Sequence, residues 1–139
     1  MVDPVLVNKI ASIERCLARV RAIHAGKLAN LEDENAFESV VLNLQRACES
    51  AIDLAMQLAA RRRLGVPQTS REAFDLLEKA GVLDASLAER MRRMVGFRNV
   101  AVHDYVRLSR PIVEAIVVER LGDFEDLCRA VVRADGEAR

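Results

Sequence analysis

Residues 37–58, FESVVLNLQRACESAIDLAMQL, decide how this chain folds. Phe37, Val41, Leu44, Cys48, Ile52, Ala55 and Leu58 recur in steps of three and four, which lays one apolar stripe along a helix and fits no strand. That helix opens around Asp33 to Asn35 and runs to Arg61-Arg62-Arg63, basic side chains that suit the negative end of a helix dipole. Gly65-Val66-Pro67 breaks it.

The same rhythm continues in both directions. Upstream, Leu6, Ile10, Ile13, Leu17, Val20 and Ile23 make a first helix that ends near Gly26, with His24 closing it. Downstream, Thr69 and Glu72 form a capping box for a short helix through Leu76, Leu77 and Ala80, stopped by Gly81. A fourth helix starts at Asp84 or Ser86 with the stripe Leu87, Met91 and Met94. Ser109 before Arg110-Pro111 opens a last one carrying Val113, Val117, Leu121, Phe124, Cys128 and Val131. No period-two run exceeds a few residues and aromatics are only 4% of the chain, so no strands are expected. The pattern predicts an all-α bundle of three long helices, a short one and a motif helix.

A chain of 139 residues, 51% of them hydrophobic, supports one core. Residues 1–134 are read as a single domain and 135–139 as a frayed tail. No uncharged run approaches the roughly 18 residues of a membrane span, and the cysteines Cys16, Cys48 and Cys128 form neither a C-x-x-C pair nor an even set. A reduced, cytoplasmic protein is expected.

The net charge is zero, which excludes a general polyanion binder and leaves room only for a local basic patch. Such a patch exists: between Arg90 and Arg110 six arginines (90, 92, 93, 98, 107, 110) face one acid, Asp104. It reads either as a solvated helix face or as an RNA-binding surface with Arg92, Arg93 and Arg107 as contacts.

Inside the patch lies Arg98-Asn99-Val100-Ala101-Val102-His103-Asp104-Tyr105, an R-x4-H-x-Y spacing. A guanidinium grips phosphate with a rigid, permanently charged fork, and an imidazole exchanges protons near neutrality. Arg98 falls four residues after Met94 and seven after Met91, on the apolar stripe, where an unpaired cation is costly. It must reach an acid, of which Glu49 and Asp53 are the obvious choices, or a phosphate, or a wet cleft. In an unbroken helix His103 would stand about 140° from Arg98. Joint action on one phosphate then needs either a helix end between them or two subunits. Tyr105 would return to within about 20° of Arg98 if helical geometry persisted. The plainer readings are a satisfied histidine at a helix end and an amphipathic tyrosine at the core's edge. His24 and His103 are too far apart to make a ligand pair, and no Gly-rich phosphate loop or G-x-S-x-G elbow occurs. No metal and no cofactor are expected.

This motif, preceded by Phe97, together with the second-helix stretch Gln45 to Asp53, resembles the HepT-type toxins of the HEPN superfamily. The resemblance spans essentially the whole chain. It implies a HEPN-type up-and-down bundle of four to five helices, dimerising through the motif face. It further implies the toxin of a type VII-like toxin-antitoxin system: a metal-independent endoribonuclease in which a ribose 2′-hydroxyl attacks the adjacent phosphate. In that scheme His103 is the general acid/base, Arg98 stabilises phosphoryl charge, and Asn99 orients substrate or histidine. The implied antitoxin is a minimal nucleotidyltransferase that AMPylates Tyr105, placing phosphate beside Arg98. Two other readings compete: a non-catalytic helical module that binds nucleotide or presents substrate to a nucleotidyltransferase, and a purely structural dimerisation domain.

Overall fold

The computed structural model describes residues 1–137, which form helices joined by short turns. The helices are α1 (Pro4–His24), α2 (Glu34–Arg61), α3 (Ser70–Lys79) and α4 (Ala85–His103). A final rod is built of α5 (Arg110–Ala115), a π-helical turn (Ile116–Arg120) and α6 (Leu121–Glu137). Two 3-10 turns, Leu28–Leu31 and Tyr105–Arg107, complete the path. No strand occurs among the described residues. The all-α bundle expected from the apolar rhythm is what forms.

Helix starts follow from side-chain caps that satisfy backbone N–H groups left over at a first turn. Asp33 caps α2 by accepting from the Ala36 N–H at 2.9 Å, and Asp84 caps α4 by accepting from Leu87 at 2.8 Å. At α3 the Glu72 N–H donates to Thr69 Oγ1 at 3.2 Å. The reciprocal arm of this capping box lands one residue early, because the Glu72 carboxylate accepts from the Gln68 N–H. Ala25, in the left-handed region at φ 48°, ends α1 one residue before the expected glycine. His24 is the last residue of α1, as read from the sequence.

α2 is the centre, packed against α1, α3, α4 and α6. Its predicted stripe is buried throughout, and Val40, Ala47, Ala51, Leu54 and Ala59 are buried beside it. A helix surrounded by neighbours must hide more than one face, so the single stripe underestimates its burial. In the last rod Val113, Val117 and Leu121 recur in strict steps of four, which drifts by about 40° per step on an ideal helix. The wider π turn at Ile116–Arg120 absorbs that drift, and all three are buried.

The expected frayed tail is a correction. α6 continues to Glu137, and Asp135 is 2% exposed, accepting from Arg61 Nε at 2.9 Å and from the Asp3 N–H at 2.8 Å. Arg61 Nη1 also reaches Asp3 at 2.6 Å, so the cap of α1, the end of α2 and the end of α6 are held in one polar knot. Residues 138–139 lie outside the described residues. All three cysteines are free and buried, and desolvation pushes Cys48 and Cys128 up to about 12, so they pack as neutral thiols.

Candidate active site

α4 runs without a break from Ala85 to His103, and the Asp104 N–H still donates to the Val100 carbonyl at 2.9 Å. Arg98 and His103 therefore lie on different faces of one helix, about 140° apart. Of the two ways to bring them together, a helix end between them is absent.

Arg98 is half-buried and turned inward. Its Nη2 donates to Ser70 Oγ at 3.0 Å, and its Nε is buried with no acceptor. Neither acid expected from the sequence takes it, which corrects that expectation. Glu49 accepts instead from Gln45 on its own helix at 3.4 Å, and Asp53 pairs with Lys9 of α1 at 3.3 Å. Arg98 also sits close enough to the Cys48 thiol for its charge to be felt there, against the dominant effect of burial. Its described surroundings are thus a hydroxyl and a protonated thiol, both neutral.

The other arginines with restricted exposure behave differently. Arg90 pairs with Asp123 and Asp126. Arg92 is held by Asp75 at 2.9 Å, Glu78 at 2.9 Å and Glu89 at 3.2 Å, clamping α3 to α4. Arg92, expected from the sequence as an RNA contact, is thus surrounded by three carboxylates, a structural engagement that spacing alone could not reveal. Arg93 and Arg107 remain open, with side chains 74% and 83% exposed and only single long pairs to Glu89 and Asp104.

Asn99 and His103 are exposed on the outer side of α4. Tyr105 is not on the Arg98 azimuth, because the helix stops at His103 and Tyr105 opens a 3-10 turn. That turn delivers the ring toward the start of α2 and the start of α5. Partial burial pushes the phenol up, Glu38 and Glu34 push it the same way, and Arg110 pulls it back. Arg110 is itself fixed by a 2.7 Å bond to the Leu31 carbonyl and by stacking 3.9 Å over the Phe37 ring.

Beside the motif, α4 and α5 leave a mostly apolar groove of about 430 Å³ lined by Phe97, Val100, Leu108, Ile112 and Ile116, with Arg93 and Arg107 also contributing. Ile112 on its wall is 55% exposed, and Val102 and Val106, in and just after the motif, are exposed at 42% and 96%. Among the described residues no group of three or more His, Cys, Asp or Glu side chains could hold a metal ion, and no helix is long and apolar enough to cross a membrane. Sequence reasoning missed Ser70, whose only signal was its place beside a capping threonine.

Comparison with known proteins agrees with this fold. Residues 13–131 match the family model described as ribonuclease HepT-like. The mRNA nuclease HepT of Shewanella oneidensis is 40% identical over 123 residues, 88% of this chain and 92% of that protein. The tri-AMPylated HEPN toxin of the same organism, solved in complex with an MNT antitoxin, superposes with a TM-score of 0.88 at 38% identity. That match covers 95% of this chain and 98% of the toxin. A toxin-antitoxin structure bound to AMP-PNP gives a TM-score of 0.87 at 37% identity, covering 93% and 98% of the two chains. With the family model covering most of its length, the chain belongs to the HepT-like ribonucleases.

Proposed function

We propose that this chain is the toxin of a type VII-like toxin-antitoxin pair, an endoribonuclease of messenger RNA in the cytoplasm, with Arg98 and His103 of different copies meeting in a shared cleft. One observation carries the reading: a half-buried guanidinium with a buried, unsatisfied Nε and no carboxylate among the described residues. Desolvating a cation without a counter-charge costs several kcal/mol, so such a group is kept for an anion that arrives from outside. A phosphodiester is that anion.

The chemistry needs few groups. The ribose 2′-oxygen forms a bond to the adjacent phosphorus while the bond from phosphorus to the 5′-oxygen breaks, leaving a cyclic phosphate and a free 5′-hydroxyl. One proton leaves the attacking hydroxyl and one reaches the departing oxygen; His103 takes or gives it. Arg98 stabilises the charge that builds on the phosphoryl oxygens, and Asn99, on the His103 side of α4, orients substrate or imidazole. Arg93 and Arg107 contact flanking phosphates.

The second copy follows from the same geometry. Arg98 and His103 cannot face one phosphate from a single α4, and the same helix lines an apolar groove through Phe97 and Val100, with Ile112 of α5 exposed on its wall. A homodimer through this face covers apolar surface and completes the site. One solved relative is a tri-AMPylated toxin in complex with an MNT antitoxin, which supports an MNT-type nucleotidyltransferase as partner here and Tyr105 as acceptor. Tyr105 is 45% exposed. AMP on it would set negative charge two residues from His103 and close to Arg110, excluding RNA by repulsion and bulk.

The test is cleavage of a labelled RNA by purified protein in EDTA. The parent should cleave, and Arg98→Ala and His103→Ala should each lose at least about a thousandfold of the rate while keeping the parental circular dichroism. RNA left intact by the parent would favour the non-catalytic nucleotide-binding module instead. Co-expression with the antitoxin should add AMP to the parent and none to Tyr105→Phe, read by intact mass.

A further inference from the structure

The start of α3 touches the guanidinium on which the proposed chemistry depends. Ser70 is the first residue of α3, and its Oγ receives the hydrogen bond from Arg98 Nη2. It is the one acceptor Arg98 has among the described residues, and the buried Nε is left without a partner. Ser70 is itself held in place. Thr69 and Glu72 lock the turn around it, through the Glu72 N–H on Thr69 Oγ1 and the Glu72 carboxylate on the Gln68 N–H. Arg92, gripped by Asp75 and Glu78 of α3, fixes that helix against α4.

A hydroxyl at this point does two things that a carboxylate could not do together. It fixes the far end of a long side chain that would otherwise sample many rotamers, and it leaves the positive charge unneutralised. Arg90 shows the contrast: it sits against the buried carboxylate of Asp123, and its charge is balanced within the protomer. Cys48, the other neighbour, is fully buried and protonated, so it removes no charge from Arg98 either.

We infer that Ser70 is a positioning residue for RNA cleavage, its hydroxyl aiming Arg98 at the scissile phosphate while keeping the guanidinium available to it. This rests on the nuclease reading above. The experiment measures kcat and KM for one labelled RNA with the parent, Arg98→Ala, Ser70→Ala, Ser70→Thr and Ser70→Asp, each checked for fold by circular dichroism and melting.

Losing one hydrogen bond to a charged group corresponds to about a tenfold fall in kcat for Ser70→Ala, with KM within about twofold. Ser70→Thr keeps the hydroxyl and should return kcat to within about threefold of the parent. Ser70→Asp supplies the missing counter-charge, so it should melt no lower than the parent yet cleave as poorly as Arg98→Ala. A general role in folding would make Thr and Asp follow their stability instead of this pattern.

The inference is overturned if Ser70→Ala keeps the parental kcat, if Ser70→Thr is as slow as Ser70→Ala, or if Ser70→Asp stays active. Should Ser70→Ala fail to fold, the Thr and Asp variants decide by the same criteria. A parent that cleaves no RNA, or an Arg98→Ala variant that cleaves as well as the parent, overturns the nuclease reading itself and the Ser70 assignment with it. That outcome is visible before any Ser70 variant is compared.

Discussion

A guanidinium that gives up part of its hydration without gaining a carboxylate is a standing cost to the fold, and Arg98 has that character here. Arg61, Arg90 and Arg92 cross between elements too, and each of them ends on acids. Opposite outcomes are expected when these cations are removed. Arg98→Leu should raise stability by about 1 kcal/mol, because an apolar side chain suits the site better than an uncompensated charge, while abolishing RNA cleavage. Arg92→Leu should lower it by about 1–2 kcal/mol, since three carboxylates lose their partner; their exposure keeps the figure modest. Thermal melts of both variants beside a cleavage assay check this. A fall in stability for Arg98→Leu would mean that the protomer already satisfies the arginine.

At the level of the elements, α4 and α6 carry the account. α4 must stay helical to His103 for the two motif residues to point apart, and its start rests on Asp84. Asp84→Ala should cost about 1 kcal/mol, the usual value of a lost N-cap, seen as a lower urea midpoint at unchanged slope. α6 ends in the Asp135 knot, so Asp135→Ala should cost about 2 kcal/mol by stripping Arg61 and the Asp3 N–H of a buried acceptor. A truly frayed end would show no loss. This is also where the sequence and the structure part company. Apolar spacing made every long helix legible, from Leu6 in α1 to Val131 in α6, because burial periodicity is a local property of the chain. The Arg98 contact was not legible, since Ser70 lies 28 residues away and Glu49 and Asp53 looked closer to its stripe. Nor was Tyr105's placement, which depends on where α4 stops. The ends of α6 and the role of Arg92 were hidden for the same reason: both depend on acids brought in by other helices.

For the whole molecule, the protomer leaves one job undone. The groove between α4 and α5 and the exposed Val102, Val106 and Ile112 lie beside a motif whose two chemical groups look in different directions. A second copy seated there would resolve both features. Ile112→Glu, at a position 55% exposed in the protomer, should leave helix content and melting nearly unchanged. It should nevertheless convert the protein to monomers in light scattering and remove RNA cleavage. A variant that stays dimeric and active would place the interface elsewhere.

The shared cleft itself is tested by mixing two dead proteins. Arg98→Ala retains His103, and His103→Ala retains Arg98, so a mixed dimer holds one complete pair if each cleft draws its arginine from one copy and its histidine from the other. With subunit exchange verified by native mass spectrometry, the account predicts that RNA cleavage reappears in the mixture while each variant alone stays inactive. A fully exchanged mixture as inactive as its components would contradict it.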